Sequence, residues 1–273
     1  MKGIILENSH IKRWLTALIA TPLLILLILK GGAFLFGLFI VTIAIIGFYE
    51  WNKITDLNYK SSLKTAKNVS FFLIPFLVFS SYGSAYLFSL CALICCGIIL
   101  FLSIKGFDGT REHLTGSTLN ITGFIYVCIF LSFAFMIRLG ADGIQGVFFL
   151  VICVFASDTG AYYAGKMYGK TKLMPKVSPK KTIEGFAGGF LLSVLAAILC
   201  RFIFFESLGL LNAFLCGCAA GIFVPLGDLF ESMTKRACNV KDSGNILPGH
   251  GGILDRIDGL LFAAPLIYLL INF

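Results

Sequence analysis

Five carboxylates fall within or at the edge of strongly apolar stretches in the second half of the sequence: Asp158, Asp228, Glu231, Asp255 and Asp258. An ionised group at the centre of a membrane helix costs roughly 2.5–3.5 kcal/mol, so five unpaired ones would cost on the order of 10 kcal/mol, comparable with the stability of a whole domain. They therefore need a wet cavity, a cation or basic partners. Asp228 and Glu231 are three residues apart, as are Asp255 and Asp258, which puts each pair on one helix face. Such an oxygen-rich cluster beside a basic loop suits Mg²⁺, which takes one or two carboxylates and completes its shell with water and substrate phosphates. A purely structural alternative pairs the acids with Lys235, Arg236 and Arg256 to hold helices together. Neutral residues would do that at lower desolvation cost.

The segment Lys166 to Glu184 has the complementary chemistry: six lysines and the run Ser178-Pro179-Lys180-Lys181-Thr182-Ile183-Glu184-Gly185. Two adjacent lysines, two hydroxyls and a backbone stiffened by Pro179 can hold several phosphate oxygens. Thr182 or neighbouring N–H groups can also cap the next helix and present its positive end to an anion. A plain positive loop explains the lysines but not the hydroxyls and glycines. Further on come Ser232-Met233-Thr234-Lys235-Arg236, Lys241-Asp242-Ser243-Gly244 and Leu247-Pro248-Gly249-His250-Gly251-Gly252, ending in Ile253-Leu254-Asp255-Arg256-Ile257-Asp258. The glycines allow positive φ and close backbone approach to a ligand. His250, in this turn directly before two acids, reads as functional rather than structural.

The elements that carry these residues follow from composition. The chain is 58% hydrophobic and 13% charged, with a mean hydropathy of +0.92, whereas soluble domains carry roughly 25% charged residues. So apolar a chain needs lipid as part of its solvent, which excludes an ordinary soluble domain. Apolar runs around residues 14–30, 33–51, 69–84, 86–104, 119–138, 146–165, 185–205, 210–230 and 253–273 predict an all-α polytopic protein of about nine transmembrane helices. The break at Ser80 to Ser84 is the least defined boundary. Leu15 to Leu29 has the look of a signal peptide but lacks a convincing cleavage site, and reads as a retained first span. With the N-terminus in the cytoplasm, eighteen Lys and Arg residues fall on the inside and three (Lys30, Arg138 and Arg201) outside. The net charge of +8 is then mostly a topology signal. Its expected partners are the bilayer, anionic headgroups and phosphates, and not nucleic acid. Eight of the nine cysteines lie in apolar runs and read as small hydrophobes. No HExxH or paired CxxC spacing suggests zinc. The expected organisation is five N-terminal helices over 1–145 and a C-terminal set over 146–273 carrying the catalytic site.

The run from Ser232 to Asp258 resembles the signature of the phosphatidate cytidylyltransferases (CDP-diacylglycerol synthases), S-x-φ-K-R-x4-K-D-x-G-x2-φ-P-x-H-G-G-φ-x-D-R-φ-D, where φ is apolar. It departs only at Thr234, an apolar position in that pattern. Ser157 to Tyr162, Ser178 to Gly185 and Gly227 to Ser232 are also similar to the family. The resemblance implies transfer of CMP from CTP to phosphatidic acid, with CDP-diacylglycerol and pyrophosphate as products, a requirement for Mg²⁺ with a second cation left open, and a homodimer. It implies Asp228 and Asp255 as metal ligands, with Glu231 and Asp258 as further ligands or supports. Ser178, Lys180, Lys181 and Thr182 would meet the CTP phosphates. Lys235, Arg236, Lys241 and Arg256 would hold the phosphatidate headgroup or the departing pyrophosphate, and His250 would donate to the leaving group. Asp158, Glu184 and Asp242 would support these groups. The expected location is a bacterial inner membrane with the site facing the cytoplasm. Two alternatives remain open at this level: a CTP-dependent polyprenol kinase transferring the γ-phosphate, and an ion-coupled transporter whose acids carry ions. The D-G-x2-A-R array of CDP-alcohol phosphotransferases is absent. The pair Gly217 and Gly221 suits either a dimer face or close packing within one chain.

Overall fold

The computed structural model describes residues 18, 20–56, 63–246 and 251–272. Every expected apolar run falls on a helix: α1 (Ala20–Lys30), α2 (Gly32–Asp56), α3 (Lys64–Ser80), α4 (Ala85–Lys105), a continuous rod made of α5 (Arg111–Gly123), a π-helical turn (Phe124–Ile129) and α6 (Phe130–Leu139), then α7 (Gly143–Tyr168), α8 (Ile183–Ile203), α9 (Leu210–Ala237) and α10 (Leu254–Asn272). Six of these, α2, α4, the α5–α6 rod, α7, α8 and α9, are long and apolar enough to cross a membrane. α3 has 17 residues, and α10 carries Asp255, Arg256 and Asp258 in its first turns. The protein is therefore an all-α polytopic membrane protein. The beginning of the first expected span lies outside the described residues.

The loop expected between α7 and α8 contains a small antiparallel hairpin, β1 (Lys172–Met174) with β2 (Ser178–Thr182), pairing Lys172 with Thr182 and Met174 with Ser178 around an irregularity. Its root is tied down by Glu184, whose carboxylate accepts from the backbone N–H groups of Lys170 (3.1 Å) and Thr171 (3.1 Å).

α7 and α8 form the most extensive helix pair because their facing positions are small. A Cβ at Gly160 would lie 2.5 Å from the Gly188 carbonyl oxygen, and one at Gly189 would lie 2.7 Å from that of Ser157. α9 joins the other side of α8 in the same way. Cβ atoms at Gly217 and Gly221 would meet the Cα atoms of Val194 (2.6 Å) and Phe190 (2.7 Å), and Ser193 Oγ donates to the Gly217 carbonyl at 2.8 Å. Gly217 and Gly221 thus serve packing within one chain. At the other side of the bundle, Trp51 on α2 is buried and donates from Nε1 to the Leu119 carbonyl (2.9 Å), one turn before the π-helical stretch. Its ring lies nearly parallel to that of Phe230 on α9, with centroids 5.9 Å apart. This contact fixes α2 against the helix that carries Asp228 and Glu231.

Candidate functional site

The site grows from three chain reversals at one end of the bundle. The first is the start of α8. Thr182 has an extended backbone and its Oγ1 accepts from Gly185 N at 3.1 Å, so it is the N-cap expected from its position before an apolar helix. Close packing requires Gly185 here, since a Cβ would lie 2.8 Å from the Ala161 carbonyl oxygen. The positive end of α8 therefore sits beside Lys180 and Lys181.

The second is the polar end of α9. Asp228 Oδ2 pairs with Lys181 Nζ at 2.7 Å, and its Oδ1 accepts from Ser232 Oγ at 3.1 Å, one turn on. Lys181 Nζ also lies 3.4 Å from the Pro225 carbonyl. One turn below, Lys235 is buried and donates to Glu231 Oε2 (2.8 Å) and Asp255 Oδ1 (2.6 Å). Glu231 is itself buried, and its other oxygen, Oε1, has no hydrogen-bond partner among the described residues. α9 then ends with Asn239 in the left-handed region and Val240 N donating to the Lys235 carbonyl, which turns the chain back toward the bundle.

The third reversal is the start of α10. Asp255 Oδ2 accepts from Ser243 N, Ser243 Oγ and Gly252 N, all at 2.9 Å. Both Asp255 oxygens are therefore engaged within the protein. A second carboxylate completes this cap: Glu50 on α2, 1% exposed, accepts from Ile253 N (3.1 Å), Leu254 N (2.9 Å) and Ser243 Oγ (3.0 Å).

Between the reversals lies a cavity of about 500 Å³. It is lined by Lys166, Lys180, Lys181 and the α8 N-terminus, by the carboxylates Asp158, Asp228, Asp255 and Asp258, and by Tyr162, Leu173 and Phe186, which add apolar wall. The structure thus gathers Asp158, Lys180, Lys181, Thr182, Asp228, Asp255 and Asp258 around one space. Lys235, expected to hold a phosphate, is instead buried between two acids, because i,i+4 spacing sets it over Glu231 and a buried charge needs partners. That part of the site follows the structural alternative. Arg236 is exposed and donates to the Val240 carbonyl (3.3 Å). Lys241 and Asp242 are exposed on the α9–α10 connection, Arg256 is exposed on α10, and Ser178 begins β2 away from the cavity lining. Glu184 braces the hairpin and does not line the cavity. His250 lies outside the described residues.

Among the described residues, no three His, Cys, Asp or Glu side chains are grouped closely enough to hold a metal ion on their own. The donor set nevertheless fits Mg²⁺. Asp158, Asp228 and Asp258 bring carboxylates to one cavity, and that ion needs only one or two of them when phosphates supply the rest. Asp255, with four donors on its two oxygens, fits a bracing role better than a ligand's.

Residues 11–273 match the model of the cytidylyltransferase family. The chain belongs to that family. It is 33% identical over 261 residues to a phosphatidate cytidylyltransferase of Staphylococcus saprophyticus, covering 95% of this chain and 98% of that protein. Similarity to the protein of the same name from Staphylococcus epidermidis is 34% over 262 residues, with the same coverage. A Bacillus subtilis phosphatidate cytidylyltransferase is 42% identical over 148 residues, which is 54% of this chain and 55% of that relative.

Glu50 is absent from the set expected from sequence. Its only local signal is a carboxylate between Tyr49 and Trp51, at the end of an apolar run where an interfacial acid is unremarkable.

Proposed function

We propose that the protein transfers CMP from CTP to phosphatidic acid, releasing pyrophosphate and forming CDP-diacylglycerol, with Mg²⁺ required. The observation that carries this reading is the pairing, in one cavity, of a lysine-flanked helix N-terminus with a carboxylate wall at the polar end of apolar helices. The names of the similar bacterial proteins support the same reaction.

In this reaction an oxygen of the phosphatidate phosphate forms a bond to the α-phosphorus of CTP, and the bond from that phosphorus to the bridging oxygen of the β-phosphate breaks. The attacking group is already an anion, so no general base is needed. Catalysis is then positioning and charge neutralisation. Lys180, Lys181 and the N–H groups at the start of α8 hold phosphate oxygens of the nucleotide. Asp228 and Asp258, with Asp158 beside them, would hold Mg²⁺, which supplies positive charge to the phosphate oxygens. Asp255 and Lys235 brace the acidic wall. Tyr162, Leu173 and Phe186 give an apolar flank for the lipid's glycerol end. The Lys and Arg distribution supports a site on the cytoplasmic face, and the bacterial relatives support the inner membrane.

The test uses purified protein in detergent with phosphatidic acid, Mg²⁺ and CTP labelled on either the α- or the γ-phosphate. Label from the α position in lipid, with stoichiometric pyrophosphate, is the expected result. Label from the γ position in lipid would mean a kinase, and no label in lipid from folded protein would turn attention to ion transport.

A further inference from the structure

We infer that Glu50 is a positioning residue of the catalytic site: its carboxylate ties Ser243, after α9, to the first amides of α10 and so sets where α10 presents Asp255 and Asp258. The inference rests on reading the cavity as the catalytic site.

Burying a carboxylate is costly, and a packing role alone would be met at lower cost by a neutral side chain. Glu50 is nonetheless almost fully buried, and its described partners are two N–H groups at the start of α10 and the Ser243 hydroxyl. Charge-assisted bonds to N–H groups at a helix N-terminus compensate the desolvation, because the helix dipole favours an anion there. The carboxylate thus joins Ser243, on the segment that follows α9, to Ile253 and Leu254 at the start of α10.

The glycines of the signature fit this clamp. A Cβ at Gly244 would lie 2.9 Å from Glu50 Cδ, and one at Gly252 would lie 2.8 Å from the same atom. At Gly244 the space a side chain would fill is taken by Glu50, and at Gly252 it is taken by the Ser243 hydroxyl together with Glu50. Glycine there admits a carboxylate from another helix, where the sequence pattern by itself suggests admission of a ligand.

The clamp connects directly to the acids of the site. Ser243 Oγ lies 3.0 Å from Glu50 Oε2 and 2.9 Å from Asp255 Oδ2, so one hydroxyl proton sits between the two carboxylates. Asp255 in turn holds Lys235, which holds Glu231. At the other end, α2 is kept in place by the adjacent Trp51 through Leu119 and Phe230. The hydrogen-bond partners of Glu50 among the described residues do not line the cavity, so Glu50 acts through α10.

The experiment combines Glu50→Gln, Ser243→Ala and the double variant in the CTP-to-lipid assay, with hydrogen exchange on the same detergent samples. Gln keeps the size but sets an NH₂ group against backbone donors. Misplacement of reacting groups by about 1 Å can cost on the order of 100-fold, so Glu50→Gln should lower kcat by about that factor. KM for CTP should stay within about threefold, because the nucleotide-binding lysines and α8 are untouched. The double variant should be no worse than Glu50→Gln, since both changes break one coupled unit. The Ile253 and Leu254 amides should lose protection while those along the α7–α8 seam keep theirs. Wild-type kcat with protected amides would overturn the clamp. So would effects of the two variants that multiply, or loss of protection throughout the protein, either of which marks a general stability role. Should the wild-type protein transfer no CMP, the function fails, and exchange at Ile253 and Leu254 still decides the clamp: unchanged protection in Glu50→Gln sinks it.

Discussion

Lys181 Nζ lies 2.7 Å from Asp228 Oδ2, so the basic hairpin and the acidic end of α9 meet within the cavity they both line. Each group is the natural partner of something else in the proposed reaction: the lysine of a phosphate oxygen, the carboxylate of a cation. Their contact compensates two opposite charges at the place where both would be used.

Removing that lysine should therefore hurt catalysis far more than folding. The pair is partly exposed, at 23% and 38%, which limits its worth to stability to about 0–1 kcal/mol. Lys181→Ala is expected to lower kcat/KM for CTP by at least about 100-fold, the usual cost of losing one preorganised charge donor. Its thermal midpoint in detergent should be close to that of the parent. A normal rate would show that Lys180 and the helix start suffice without it.

Lys235 should behave in the opposite manner. It is buried between Glu231 and Asp255, so Lys235→Ala leaves two acids facing each other without a cation. Loss of one partner from a buried ion pair costs about 3–5 kcal/mol. Thermal unfolding should show a marked drop, and adding Glu231→Gln to Lys235→Ala should recover part of it. No drop would mean that Lys235 is not the clasp described above.

Thr182 tests the helix start. Thr182→Val removes the hydroxyl that accepts from Gly185 N, at a cost of about 1 kcal/mol, and loosens the N–H groups offered to phosphate. KM for CTP should rise several-fold on the scale of one such hydrogen bond, and Thr182→Ser should restore it. Equal KM values for Val and Ser would place the phosphates elsewhere.

Chelation addresses the cation. Titrating EDTA into the assay should abolish transfer of α-label to lipid, and Mg²⁺ should restore it. Asp258→Asn should raise the Mg²⁺ concentration needed for half-maximal rate, whereas Asp255→Asn should lower stability as well, because Asp255 holds four donors. An Asp258→Asn variant with an unaltered Mg²⁺ requirement would remove that residue from the metal site.

The membrane architecture is legible in the sequence because lipid imposes a one-dimensional rule: a long enough apolar run becomes a helix. Even the least defined boundary resolves locally, with Ser84 capping α4 through a bond from Leu87 N at 3.1 Å. The Thr182 cap is legible for the same reason, since its partner is three residues away. The hairpin is not, because Ser-Pro-Lys-Lys-Thr has no alternation of polar and apolar residues and its root is set by Glu184. Lys235 was half legible: its spacing to Glu231 is visible, but Asp255 reaches it only through tertiary packing. Glu50 was the hardest, with partners up to 204 residues away.

That separation bears on how the protein is made. α2 is synthesised 204 residues ahead of the amide that Glu50 accepts from at the start of α10, so Glu50 waits through a long stretch of translation for the groups that neutralise its cost of burial. Until α10 arrives, the growing chain holds an acid near the membrane without these partners, and the arrival of α10 closes the clamp. A chain stopped before Leu254 would keep α2 through α9 and leave Glu50 without the Leu254 amide, so its buried acid would distinguish it chemically from the chain that has made α10.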